Sequence, residues 1–239
     1  MATAQLDSLP GGGLALIIGA TGGLGAALLS QLQSDPTLAR AVGLSRSSQP
    51  ALDLLDEASI VTAAQHVVAL GLPLRLVIDA TGTLHREGHQ PEKSWQQLDP
   101  AQMAHAFAIN AIGPALLMKH FLPLLARQGK GVFATLSAKV GSIGDNRLGG
   151  WYSYRASKAA LNQLVHTAAI ELRRRQPAAV CVALHPGTVH TALSAPFAKT
   201  GLAVLPPDAA AQRLLSVINA LGAADSGGFF NHDGQPLPW

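Results

Sequence analysis

Short apolar runs alternate with amphipathic stretches along the chain. The apolar runs are Leu14 to Ile18, Ala41 to Leu44, Leu74 to Ile78, Val132 to Leu136, Ala179 to Leu184 and Gly228 to Asn231. Runs of this length with helix-like stretches between them predict strands that alternate with helices. Such alternation is typical of a doubly wound α/β fold, in which helices cover both faces of a mostly parallel sheet. We expect one domain over residues 1–239, with residues 1–12 as a flexible leader.

Composition and charge agree with a buried sheet. Hydrophobic residues make up 48% of the chain and charged residues 13%, which suits strands covered on both faces. The formal net charge is +3, and the tight basic run at Arg173 to Arg175 lies near a predicted helix end. That position favours an interaction with the helix dipole over nucleic-acid binding. We therefore expect no nucleic-acid partner.

The single cysteine and the first residues of the chain indicate the cellular compartment. Cys181 lies in the apolar run "AAVCVAL", cannot form an internal disulfide, and is expected to be a small buried hydrophobe. The first residues lack the pattern of a signal peptide, and "LALIIGA" is too short to span a bilayer. We expect a cytoplasmic protein without a membrane partner.

A glycine-rich turn follows the first predicted strand. It reads "IIGATGGLGAALL" and places Gly19, Gly23 and Gly25 between a strand and a helix. Glycine lets main-chain N–H groups and a helix N-terminus approach a pyrophosphate. A tight strand-to-helix turn also needs glycine for packing alone, but the position after the first strand favours a phosphate site.

Several motifs occur together in a fixed order. The glycine spacing is wider than the Rossmann pattern G-x-G-x-x-G, and it is followed by "DATG" (Asp79 to Gly82), "INAIGP", "YRASK" and "HPGTVHT". In this order the motifs resemble the short-chain dehydrogenase/reductase family over nearly the whole chain. The segments "SAKVGSIGDNRLGGWYSYRASKAALN" and "GGFFNHDGQPLPW" are most similar to its C-factor-like and sniffer-like carbonyl reductases. The resemblance implies a Rossmann-like fold.

The end of the second strand indicates which nicotinamide cofactor binds. It reads "VGLSRSSQ", without a carboxylate and with Arg46 after Ser45. An acidic residue there holds the ribose of NAD, whereas a nearby arginine accommodates the extra phosphate of NADP. We therefore predict NADP(H), although one exposed arginine in a polar turn can also be simply solvated. No metal is expected.

The resemblance implies a set of cofactor-binding residues. Asp53 and Leu54 would border the adenine, and Pro186 to Thr188 the nicotinamide amide. The full set is Gly19, Thr21, Gly22, Gly23, Leu24, Gly25, Ser45, Arg46, Asp53, Leu54, Ala80, Thr81, Gly82, Asn110, Tyr154, Lys158, Pro186, Gly187, Thr188, Val189 and Thr191.

Tyr154 and Lys158 are the predicted reacting pair. A carbonyl accepts hydride only as its oxygen gains a proton, so an acid must lie beside that oxygen. A spacing of i and i+4 places both side chains on one helix face, where the ammonium is expected to lower the tyrosine pKa. The resemblance implies that Lys158 also holds the ribose and that Asn110 positions a water. Tyr152 lacks a lysine four residues later and is expected to be structural, beside Trp151.

The serine that would donate to the carbonyl oxygen is displaced. Members of the family have two serines, two variable residues and a glycine, whereas this chain reads "SAKVG", with Ala138 at the second serine position. Strand side chains alternate in direction, so Ser137 can serve only if the strand has already ended. We predict Ser137 for this role, then Ser142, then no serine.

Other candidates have structural alternatives. His85 and His89 have a spacing that could bind zinc on a helix, but the neighbouring glycine and proline favour a solvated loop. His185 is expected to fill space near the nicotinamide. The segment Thr191 to Asp208 resembles the family's substrate-covering lid, the alternative being an ordinary long connection.

The motifs together predict an NADPH-dependent reductase of an aldehyde or ketone, which can also oxidise an alcohol. The alternative is an NADP(H)-binding signalling protein of the C-factor type with little turnover. Two alanine-rich helices, one containing Asn110 and one following Tyr154, resemble the family's dimer-forming pair, so a homodimer or homotetramer is expected.

Overall fold

A computed structural model describes residues 5–85, 88–197 and 204–239. Its main sheet has six parallel strands in the order β2-β1-β3-β4-β5-β8, and β6 pairs with β7 in a small second sheet. The strands are β1 Gly13–Ile18, β2 Leu38–Leu44, β3 Leu74–Asp79, β4 Gly131–Leu136, β5 Ala179–His185, β6 Thr188–Val189, β7 Val204–Leu205 and β8 Phe229–Asn231. Each predicted apolar run lies in a strand of the main sheet.

In the described part of the chain, six α-helices connect the strands, and a π-helical turn, Ala108–Ile112, joins the third to the fourth. The helices are α1 Gly23–Gln33, α2 Glu57–Ala69, α3 Pro100–Phe107, α4 Gly113–Phe121, α5 Tyr152–Arg175 and α6 Pro207–Ala220. Two of them begin at an aspartate whose carboxylate accepts a free N–H of the first turn. Asp56 accepts from the Ala58 amide at 3.0 Å, and Asp99 accepts from the Gln102 amide at 2.6 Å.

Helices cover both faces of the sheet. Residues of α1 and α6, such as Leu28 and Leu214, pack into one hydrophobic cluster with alternate strand residues. Residues of α2, α4 and α5, such as Phe121 and Leu161, pack with the other strand residues on the opposite face. Because strand side chains alternate between faces, both layers are built from the same strands. The arrangement confirms the predicted doubly wound, Rossmann-like α/β class.

Strand β2 lies at one edge of the sheet. The Rossmann order 3-2-1-4-5-6 has a further strand outside this position, whereas here residues 45–56 form a loop that leads directly into α2. Leu52 and Leu54 anchor this loop by burial in the core. A Cβ atom placed on Gly113 would lie 2.7 Å from that of Leu54, so the loop packs closely on α4. The end of the sheet beside Ser45 is therefore enclosed by a loop.

The first described residues pack into the core. Leu6 and Leu9 are buried in the cluster that contains α1 and α6, and the Leu6 amide donates to Asp35 Oδ2 at 2.9 Å. Residues 5–12 are thus part of the packed body and do not form the flexible leader that the sequence predicts; residues 1–4 lie outside the described part of the chain.

One helical stretch, Pro100–Leu124, is long and apolar enough to cross a membrane by length and composition alone, with a mean hydropathy of 1.3. Leu117, Met118 and Phe121 of this stretch are buried against the sheet. The protein core accounts for that apolar face.

Candidate active site

The glycine turn between β1 and α1 has a backbone that only glycine fits. Gly19 adopts a φ of 84°, and a Cβ atom on it would lie 3.1 Å from the Ala80 carbonyl oxygen. A Cβ atom on Gly25 would lie 2.2 Å from the Gly19 carbonyl oxygen. Thr21, Gly22 and Gly23 remain exposed at the start of α1. The turn therefore packs tightly on the loop that follows β3, while its outer rim stays open to a phosphate group.

The end of β2 presents Arg46 to solvent. Ser45 is buried, and its amide hydrogen-bonds to Ser48 Oγ at 2.8 Å, which in turn donates to the Ser45 carbonyl. This turn leaves the Arg46 side chain exposed. Residues 38–48 contain no carboxylate, so a ribose phosphate would meet the arginine without repulsion.

Asp79 ends β3 and is fully buried. Thr81 donates to its Oδ1 through the amide and the hydroxyl, at 3.0 and 2.5 Å, and Thr135 Oγ1 donates to Oδ2 at 2.7 Å. Burial raises the pKa of Asp79, and these hydrogen bonds and the charge of Lys158 oppose the shift. The family's motif has an asparagine at this position, so the aspartate in the sequence is the signal that could have indicated a buried carboxylate here.

Asn110 connects the loop after β3 to α5 from within the π-helical turn. Its Oδ1 accepts from the Thr83 amide, and its Nδ2 donates to the Thr83 carbonyl, both at 2.8 Å. Nδ2 also donates to Ser157 Oγ at 3.1 Å. A Cβ atom on Gly82 would lie 3.4 Å from Asn110 Oδ1 and 3.5 Å from Lys158 Nζ. Gly82, Asn110 and Lys158 therefore meet at the carboxyl edge of the sheet.

Burial controls the acid–base properties of the predicted pair. Lys158 Nζ donates to the Leu136 carbonyl at 2.8 Å; burial lowers the pKa of Lys158 to about 8, and Asp79 opposes this shift. Burial raises the pKa of Tyr154 to about 12. The structure contradicts the expected lowering of the tyrosine pKa, because burial disfavours the charged phenolate. Tyr154 keeps its proton at neutral pH.

Both candidate serines are engaged by other parts of the protein. β4 ends at Leu136, so Ser137 follows the strand, as its predicted role requires. Its hydroxyl donates to Asn162 Oδ1 at 2.6 Å, one helical turn beyond Lys158. Ser142 Oγ donates to the Trp239 carbonyl at 3.2 Å and accepts from the Asp145 amide at 3.1 Å. The structure thus gives each hydroxyl a partner within the chain.

An aromatic cluster adjoins Tyr154. The ring of Trp151 lies edge-on to the rings of Tyr154 and Phe197, with centroid distances of 6.2 and 5.4 Å. Phe197 also contacts His85 at 5.5 Å; His85 lies in a loop, as the sequence predicts, and is partly buried there. Phe197 belongs to the predicted lid, of which residues 198–203 lie outside the described residues.

The segment after β5 extends from the sheet edge to the glycine turn. Gly187 has a φ of 78°, and a Cβ atom on Gly23 would lie 3.1 Å from Thr191 Cγ2. His185, just before this segment, has a buried Nδ1 without a hydrogen-bond partner, and burial lowers its pKa to about 4. The predicted residues from both halves of the chain are therefore grouped along one edge of the sheet.

Comparisons with known proteins agree with this arrangement. The family model for short chain dehydrogenases matches residues 13–201. The C-signal protein of Myxococcus xanthus is 38% identical over 142 residues, which cover 59% of this chain and 81% of that protein.

Solved structures give the same result. An NADPH-bound carbonyl reductase from chicken fatty liver superimposes with a TM-score of 0.84 at 26% identity, covering 96% of this chain and 95% of its own. The carbonyl reductase Sniffer of Drosophila melanogaster has a TM-score of 0.81 at 23% identity, covering 96% and 100%. Together with the site geometry, these matches show that the chain belongs to the short-chain dehydrogenase family and is similar to its C-signal and Sniffer members.

Proposed function

We propose that this protein is an NADP(H)-dependent reductase of aldehydes or ketones, able to run in reverse as an alcohol dehydrogenase. The observation that carries the proposal is the arrangement of Tyr154 and Lys158 on one face of α5, with Lys158 next to Gly82 and Asn110. This arrangement supports Tyr154 as the proton donor and the Lys158 ammonium as its partner beside the loop that would border the cofactor.

The residues present fit a dinucleotide phosphate. The exposed rim of the glycine turn and the N-terminus of α1 would hold the pyrophosphate, and Arg46 would bind the extra ribose phosphate. The NADPH-bound carbonyl reductase from chicken fatty liver, at 26% identity, supports this choice. When bound, the reduced nicotinamide supplies the hydride.

The chain's own residues would donate the proton to the substrate and stabilise the phenolate that remains. Tyr154 holds its proton at neutral pH, since burial raises its pKa to about 12, and it would donate that proton to the carbonyl oxygen as negative charge develops there. The resulting phenolate would be stabilised by the Lys158 ammonium, which is present below a pH of about 8. Asn110 would hold the Thr83 loop and the helix in their relative positions.

The proposal is tested by following NADPH oxidation with a panel of aldehydes and ketones. Tyr154→Phe is expected to lower turnover by at least about a hundredfold, because the proton donor is lost, while NADPH binding is retained. The matched control is Tyr152→Phe, which removes the neighbouring hydroxyl and is expected to leave turnover unchanged. Equal activity of wild type and Tyr154→Phe would contradict the proposal.

Arg46→Ala tests the cofactor assignment. The variant is expected to bind NADPH about tenfold or more weakly, in line with the loss of a charged hydrogen bond, and to bind NADH unchanged. Fluorescence titration of both cofactors measures this. Preference of the wild type for NADH would overturn the assignment.

We also propose that residues 191–208 form a lid over the substrate, that the protein is cytoplasmic, and that it forms a homodimer or homotetramer. Ile112 and Ile170, on the two helical segments expected to associate, are 55% and 45% exposed, which supports association. Light scattering during gel filtration tests the subunit number.

A signalling role with little turnover is the second candidate. The 38% identity to C-signal favours it, as does Ala138 at the position of the missing serine. A wild-type protein that binds NADPH but turns over none of the panel would support this candidate against the first.

A further inference from the structure

Glu92 is a buried carboxylate that the mechanism above does not use. It is 2% exposed and contacts the start of α5, 61 residues further along the chain. Its Oε2 accepts from the Ser153 amide at 3.2 Å, and its Oε1 accepts from the Ser153 hydroxyl. Its main-chain carbonyl accepts from the Trp151 amide at 2.5 Å. Three hydrogen bonds thus join one residue to the beginning of the helix that carries Tyr154.

The start of α5 has no cap of its own. Trp151, at the N-cap position, has φ 53° and ψ 42° and makes no side-chain capping bond, and the first turn contains no acidic residue. The first N–H groups of a helix lack partners within the helix and carry partial positive charge. Helices α2 and α3 meet this need with the aspartates that precede them, Asp56 and Asp99. In α5 the carboxylate comes from a distant loop.

The two residues that Glu92 contacts, Ser153 and Trp151, both adjoin the proposed proton donor. Ser153 immediately precedes Tyr154 in the chain, and the Trp151 ring rests edge-on against the Tyr154 ring. A shift of the helix start would therefore move the phenol in two ways, through the backbone and through the Trp151 ring. Misplacement of a reacting group by about 1 Å can cost about a hundredfold in rate.

We propose that Glu92 caps the catalytic helix from outside and positions Tyr154 through Ser153 and Trp151. Glu92 is a positioning residue, since its described contacts are with the helix start and not with the reacting atoms. The expected effect on turnover rests on the proposed reductase function, whereas the capping role of Glu92 rests on the hydrogen-bond geometry alone.

The kinetic test compares Glu92→Ala, Glu92→Gln and Asp35→Ala. Asp35 is a matched control because it is also a buried carboxylate, 6% exposed, that accepts two backbone amides, those of Leu6 and Thr37. Glu92→Ala is expected to lower kcat about tenfold to a hundredfold at unchanged KM for NADPH. Glu92→Gln keeps an oxygen acceptor for Ser153 and is expected to restore most of kcat. Asp35→Ala is expected to lower the melting temperature without lowering kcat.

Two outcomes would overturn the proposal. One is a Glu92→Ala variant that loses thermal stability as Asp35→Ala does but keeps wild-type kcat, since Glu92 would then be a structural cap only. The other is a Glu92→Gln variant no more active than Glu92→Ala. If Glu92→Ala does not fold, Ser153→Ala replaces it and is expected to lower kcat at unchanged KM for NADPH, because it removes the hydroxyl that donates to Glu92. Wild-type kcat in that variant would then overturn the proposal.

A measurement without turnover separates this inference from the proposed function. In protein with 13C-labelled tyrosine, Tyr152→Phe assigns the signal of Tyr154, because the chain has two tyrosines. Glu92→Ala, or Ser153→Ala where Glu92→Ala does not fold, is expected to shift the Tyr154 signal and to speed hydrogen exchange of the Ser153 amide, with no change at the α2 amides. An unchanged Tyr154 signal would defeat the positioning role even if the enzyme is active. A shifted signal in a protein without reductase activity would defeat only the proposed function.

Discussion

The glycine turn and the start of α5 are the two ends of the candidate site, and they are built differently. At the glycine turn the main chain itself provides the surface: its tightest contact is between near neighbours, Gly25 and Gly19, and it also packs against the distant Ala80 and Thr191. At the start of α5 side chains provide the chemistry, and their partners are distant: Glu92 lies 61 residues from Ser153, and Ser137 lies 25 residues from Asn162. The cofactor end thus depends mainly on main-chain geometry, and the reacting end on side-chain hydrogen bonds between distant residues.

This difference predicts different sensitivities. Substitution at the glycine turn meets backbone that cannot move aside, so stability and cofactor binding should fall together. Substitution at the reacting end changes hydrogen bonds and charges, so turnover can fall while the fold persists. The following substitutions test this separation between the two ends of the site.

Lys158→Met is expected to have the largest effect. Turnover should fall at least about a hundredfold, because the ammonium that stabilises the tyrosine phenolate is lost, and NADPH affinity should fall as well. Steady-state kinetics and cofactor titration measure both. Lys119→Met, which removes a lysine that is 61% exposed, is the control and should behave as wild type. Normal turnover of the Lys158→Met variant would show that Lys158 has only a structural role.

Gly25→Ala should disrupt the glycine turn at the cofactor end of the site. Its Cβ would lie 2.2 Å from the Gly19 carbonyl oxygen, and relief of such an overlap costs about 1 to 3 kcal/mol of stability. Denaturant unfolding should show this loss, and fluorescence titration should show weaker NADPH binding. Gly11→Ala, whose nearest neighbour would be at 3.8 Å, should change neither. A Gly25→Ala protein of wild-type stability and affinity would mean that the turn adjusts freely.

Ser137→Ala tests the reacting end. The buried amide oxygen of Asn162 loses its hydroxyl donor, which is expected to lower the free energy of unfolding by about 1 to 3 kcal/mol. Turnover should fall by less than the roughly hundredfold loss that accompanies removal of an oxyanion donor. A hundredfold loss at wild-type stability would instead show that the hydroxyl leaves Asn162 to bind substrate. Ala138→Ser is expected to fold normally with turnover no lower than wild type.

Asp79→Asn should have the smallest effect, a change in pH dependence. Lys158 is charged below its pKa of about 8 and neutral above it, so wild-type turnover should decline as pH rises through 8. The charge of Asp79 raises the pKa of Lys158, so its removal should lower that pKa and move the decline to lower pH. Turnover measured from pH 6 to 10 tests the direction, and a shift to higher pH would contradict it.

Local sequence determined the elements of this protein. The six apolar runs became the strands of the main sheet, and the glycine spacing and the Tyr154–Lys158 spacing placed the candidate residues at its carboxyl edge. The hydrophobic periodicity, the backbone geometry of glycine and the spacing of residues on a helix each depend on only a few neighbouring residues. They can therefore be recognised in the sequence before the fold is known.

Tertiary structure alone decided how those residues are supported. Four features depend on contacts between segments that are far apart in the chain. They are the burial that raises the pKa of Tyr154, the hydrogen bond from Ser137 to Asn162, the capping of α5 by Glu92 and the packing of Leu6. Such effects depend on which surfaces the sheet brings together and how much water they exclude. A side chain's neighbours in sequence do not specify its neighbours across a core, so these interactions become visible only when the chain is folded.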